Sequence, residues 1–83
     1  MSGAAIKVLY FAQVAELIQV RQESWPLTQA VTGAAWLREL ELRYPQLAPA
    51  SRLKLAVNQR HVVHDMLIAP GDEVAVFEPV TGG

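Results

Sequence analysis

Cysteine is absent from the 83 residues. A disulfide framework, a thiolate nucleophile and a cysteine zinc site are therefore excluded. An excess of either charge is missing too. Seven Lys and Arg against eight Asp and Glu leave a net charge of -1, so no overall field draws the chain to nucleic acid or to an anionic membrane. No apolar run reaches the roughly 20 residues of a membrane span. The opening stretch MSGAAIKVLYFAQ lacks the basic start of a signal peptide and reads as a strand. The expected location is the cytoplasm. Repeats, low-complexity segments and linkers are also lacking, and the length suits one domain.

What is present is apolar. Hydrophobic residues make up 52% of the chain and charged residues 18%, which favours a compact core over disorder. A domain this small buries only a limited core, so apolar surface left over is available to a partner.

Residues 4–12, AAIKVLYFA, form a near-continuous apolar run that reads as a central strand covered on both faces. Alternation puts Ile6, Val8 and Tyr10 on one side and Lys7, Leu9 and Phe11 on the other; the lysine turns at least one end of that second side outward. QVAELIQ suits one or two helical turns. VRQESWPL suits an edge strand, because Pro26 cannot donate to a ladder. Thr32 is a candidate N-cap for GAAWLRELELRY, in which Trp36, Leu37, Leu40 and Tyr44 fall at helical spacing. Glu39 and Arg43 form an i,i+4 pair, and Pro45 stops the helix.

RLKLAVN alternates Leu53, Leu55 and Val57 against Arg52, Lys54 and Ala56 and reads as a strand with one covered face. A turn at NQ returns the chain along RHVVH. APGDE is a further turn, and EVAVFEPV is the last strand, with Val74 and Val76 facing one way and Ala75 and Phe77 the other. Strands on both sides of one long helix predict an α+β domain, a sheet packed on one main helix. The first and last strands are the most apolar and belong side by side at the centre.

The chain closes on FEPVTGG. The domain is expected over residues 1–78, followed by a tail over 79–83 that spans up to about 17 Å when extended. Gly82 and Gly83 carry no side chain and allow close backbone approach. Such a tail can thread a narrow tunnel and present its terminal carboxylate inside another protein. There, once activated, for example as an acyl-adenylate, it can accept an amine or a sulfur nucleophile. The plainer alternative is an end without a role.

Phe11 and Phe77 are expected close together on the sheet face away from the helix, as an exposed apolar patch of the kind that marks a contact site, unless loops or the short helix cover both rings. His61 and His64 form an HxxH, but strand residues three apart face opposite ways, and no metal site is expected. Asp72 and Glu73 suit turn chemistry more than docking. Arg38, Glu39, Glu41 and Arg43 read as a solvated helix face. Trp25 and Trp36 read as packing rather than nucleobase platforms.

In order, and over nearly the whole chain, IKVLYFAQVAEL, LRELELRYPQLA, LAVNQ and PGDEVAVFEPVTGG resemble the small subunits of molybdopterin synthase, the MoaD-type sulfur carriers of the ubiquitin-like β-grasp superfamily. The first and last stretches are the specific ones. Glu78, where many members have proline, and Trp36, bulkier than the usual leucine, depart from the pattern.

The resemblance implies a β-grasp fold with a mixed sheet, and a C-terminal Gly83 that an ATP-dependent activating enzyme adenylates and a sulfur-transfer system turns into a thiocarboxylate. It implies that Val80, Thr81, Gly82 and Gly83 insert into the large synthase subunit, where the sulfur passes to a pterin precursor to build a dithiolene. Phe11, Phe77 and His61, with Val80 at the border, would contact both the large subunit and the activating enzyme. The chain itself would bind no cofactor and act as the non-catalytic, sulfur-donating member of a heterotetramer. Weighed beside this are a carrier for thiazole synthesis or tRNA thiolation, a modifier linked to lysines through Gly83, and a binding module with an idle tail.

Overall fold

A computed structural model of the chain describes residues 4–79. The expectations placed on Val80, Thr81, Gly82 and Gly83 lie outside the described residues.

The elements follow one another as β1 (Ala5–Tyr10), α1 (Ala12–Ile18), β2 (Gln22–Pro26), β3 (Val31–Thr32), α2 (Gly33–Arg43), β4 (Lys54–Val57), β5 (Arg60–Val62), β6 (Leu67–Ile68) and β7 (Glu73–Phe77). Short 3₁₀ turns at Pro45–Leu47 and Ala50–Arg52 join α2 to β4. The main sheet has five strands in the order β2-β1-β7-β4-β5. The first and last strands lie together at its centre, where β1 runs parallel to β7, while β2, β4 and β5 pair antiparallel. This is the expected α+β arrangement, with a mixed sheet and the first and last strands central.

The core lies between one sheet face and α2. Ile6, Val8 and Tyr10 of β1, Val74 and Val76 of β7 and Leu55 of β4 are buried against Trp36, Leu37 and Leu40 of α2. Val14 and Ile18 bring α1 into the same core. Thr32 caps α2 as expected: its Oγ1 accepts from the Ala35 amide at 3.1 Å, satisfying one of the orphan donors of the first turn. Trp25 and Trp36 meet edge to face with centroids 5.3 Å apart, the packing role expected of them.

Four features differ from expectation. First, β1 is covered on one face only. Lys7 and Phe11 are exposed and Leu9 is half-buried, because the single long helix can cover only one side of the sheet. Second, the last strand ends at Phe77 rather than Val80; Pro79 has no amide hydrogen to extend a ladder. Third, β3 and β6 form a separate two-stranded ladder. Two residues per strand leave too little periodicity to read from sequence.

Fourth, the outer face of α2 is not simply solvated. Arg43 pairs with Glu23 at 3.3 Å rather than with Glu39, and its guanidinium lies over Trp25 and Tyr44. Glu41 accepts the Ala50 amide at 2.8 Å. Long side chains at a helix edge reach neighbouring elements, which a helical wheel does not show.

Candidate functional site

The uncovered sheet face is built by alternation alone. The strand registers place Leu9 beside Ala75, Ala75 beside Ala56, and Ala56 beside His61. Two alanines thus form the floor of the face. Ala56 is only 7% exposed even though it lies on the face away from α2, because its neighbours stand taller than its methyl group. One step further along, Phe77 lies across from Lys54.

Phe77 and His61 meet at 5.2 Å between centroids, tilted by 57°. They border a concavity of about 390 Å³ that Lys54, Val63 and Pro79 also line. Pro79 is the first residue of the expected tail, so the tail's root edges this concavity. A wider one of about 710 Å³ lies beside α1, lined by Leu9, Phe11, Ala15, Gln19 and Gln22.

Phe11 is 49% exposed. It is not the seventh residue of β1 but the N-cap of α1, in extended conformation. Its amide donates to the Val76 carbonyl at 3.1 Å, which holds it next to the β7 end that carries Phe77. The ring that meets Phe77 is that of His61. The structure therefore brings the rings of Phe77 and His61 together and ties the Phe11 backbone, at the start of α1, to the end of β7.

The remaining candidates take structural positions. His64 Nε2 lies 2.8 Å from the Leu53 carbonyl, while His61 faces Phe77, so the two imidazoles of the HxxH diverge. Asp72 is committed to turns: Oδ2 accepts from the Ala69 amide at 2.9 Å and Oδ1 from Asn58 Nδ2 at 3.0 Å. The Asn58–Gln59 turn has both residues at positive φ, the primed geometry that matches the twist of a two-residue hairpin. Asn58 ties this hairpin to β7 through the Glu73 amide at 3.0 Å. Lys54, Val63 and the alanine floor were not singled out by the sequence reading. The small residues at the outward positions of KLAV and EVAVF were the available signal.

A small α+β domain that curls a mixed sheet around one helix, with its first and last strands central and the opposite face bare among the described residues, is a ubiquitin-like β-grasp protein. The chain belongs to the ThiS family, whose model matches residues 8–83. It is similar to the molybdopterin synthase sulfur carrier subunit of Homo sapiens, with 39% identity covering 94% of this chain and 93% of that one. The molybdopterin synthase sulfur carrier subunit of Escherichia coli shares 40% identity over 94% of this chain and 99% of its own. Among solved structures, a Pyrococcus furiosus protein provisionally named molybdopterin converting factor, subunit 1, superposes with a TM-score of 0.80 at 28% identity, covering 94% of this chain and 100% of that one.

Proposed function

We propose that this chain is the sulfur carrier and small subunit of molybdopterin synthase. The observation that carries the reading is near full-length similarity to curated sulfur carrier subunits, joined to a family match that runs to Gly83. The alternatives, a carrier for another sulfur pathway or a lysine-linked modifier, have no comparable support.

In this reading the working group is the main-chain carboxylate of Gly83. A carboxylate resists nucleophiles until its oxygen becomes a leaving group. An activating enzyme supplies that by adenylation with ATP, releasing pyrophosphate. A sulfur donor then displaces AMP and leaves a thiocarboxylate. On the large subunit the sulfur passes to the pterin precursor, and water returns the carboxylate. The chain needs no bound cofactor and no cysteine, because its sulfur rides on the backbone terminus. Acid, base and oxyanion stabilisation come from the partners.

The bare sheet face gives those partners a docking surface. Phe77 and His61 form its centre, with Phe11 alongside, and Val80 and Thr81 lead Gly82 and Gly83 into the partner's active site. One face and one tail serve the activating enzyme and the large subunit in turn, and two such carriers on a large-subunit dimer make a heterotetramer. The work belongs in the cytoplasm.

Mass spectrometry tests the reading. After expression with an activating enzyme, ATP and a sulfur source, the C-terminal peptide should gain the mass difference between sulfur and oxygen, and every other peptide should stay unchanged. A C-terminal peptide that never gains sulfur, or that appears linked to lysines, overturns it.

A further inference from the structure

Glu78 is the last residue before the tail, and its side chain is tied down. Its Oε2 lies 3.1 Å from Arg52 Nη1, with both side chains partly shielded from solvent. Arg52 closes the 3₁₀ turn Ala50–Arg52, and the other end of that turn is pinned to α2, where Glu41 Oε1 accepts the Ala50 amide at 2.8 Å. A short relay thus runs from the core helix to the residue at the tail's root. Phe77, one position earlier, lies on the opposite face against His61, so consecutive residues grip the end of β7 from both sides.

The joint they hold is stiff. Proline fixes its own φ and confines the preceding residue to extended conformations. The direction in which the chain leaves the domain therefore depends on how Glu78 is held.

Resting on the sulfur-carrier reading, we infer that the Arg52–Glu78 ion pair is a latch that aims the tail. Arg52 and Glu78 are positioning residues: they touch no reacting atom but set where the terminal carboxylate is presented. A partly exposed pair contributes little to stability, so losing it leaves the fold intact and acts on the tail.

The absence of cysteine supplies the test. Leu42→Cys, at an exposed position of α2, gives the chain a single thiol for a nitroxide label. Paramagnetic broadening of the Val80–Gly83 amides is then compared between this parent, Arg52→Gln, Glu78→Gln and the charge-reversed pair Arg52→Glu/Glu78→Arg. The single variants should alter the tail profile, high salt should do the same to the parent, and the reversed pair should restore it. In sulfur transfer to the large subunit, the single variants should lose about two- to fivefold in kcat/KM, the bias a surface ion pair can impose, and the reversed pair should recover it. A tail profile indifferent to Arg52→Gln overturns the latch, whatever the transfer assay shows. An altered profile in a chain that never acquires sulfur upholds the latch and removes the carrier reading.

Discussion

Phe77 lies half-buried between the cross-strand Lys54 and the ring of His61, at the end of the central strand. Replacing it with aspartate sets an unpaired carboxylate in the middle of the proposed contact. Because the ring faces away from the core, Phe77→Asp should fold normally and bind the large subunit about 10- to 100-fold more weakly in titration calorimetry. Unchanged affinity would take this face out of the interface.

On the other side of the sheet, Tyr10 and Tyr44 both donate to Glu23, Tyr44 at 2.8 Å. Burial first, and the bond to Glu23 second, push both phenols above their ordinary range. The folded chain thus keeps protons that an unfolded tyrosine gives up near pH 10. Stability should be full below that pH and decline as pH rises above it. Tyr10→Phe should cost about 1 kcal/mol at neutral pH and make the alkaline decline shallower in urea titrations. A decline as steep as the parent's would show that Tyr10 does not carry it.

At the scale of elements, the start of α2 sets local propensity against packing. Gly33 opens the helix, and alanine there would be the better helix former by up to about 1 kcal/mol. A Cβ at Gly33, however, would stand 2.8 Å from Leu55 Cδ1 and 3.1 Å from the His64 carbonyl oxygen. The helix approaches β4 and the loop after β5 too closely for a methyl group. Gly33→Ala should therefore destabilise by about 1–3 kcal/mol, measured by chemical unfolding. A gain in stability would mean that the neighbours yield and propensity prevails. Thr32→Ala, which removes the cap without crowding, should cost about 1 kcal/mol.

For the molecule as a whole, the proposed division of labour is a domain that recognises partners and a terminus that carries the sulfur. Deleting Gly83 separates the two. The shortened chain should keep its circular dichroism spectrum and its binding to the large subunit, and should support no sulfur transfer in a reconstituted synthase assay. Preserved transfer would defeat the assignment, because the new terminus would be a threonine-flanked Gly82 set one residue short of the reacting site.

Much of this was legible in the chain itself. Alternation in IKVLY and EVAVF, the Thr32 cap, the helical spacing of Trp36, Leu37 and Leu40, and the Asn58–Gln59 turn are local signals, and each became the element it predicted. The candidate face was legible in part, because strand period alone sends Phe77 and Val76 to opposite sides. Contacts between distant segments were not legible. That Phe77 meets His61, that Arg43 reaches Glu23, and that Arg52 holds Glu78 depend on which strands lie side by side and on how long side chains bend. The sequence determined which residues turn inward, because periodicity and side-chain type are local properties. Only the tertiary structure decided which outward residues share a surface and what holds Glu78 just past β7, because those neighbours come from segments far apart along the chain.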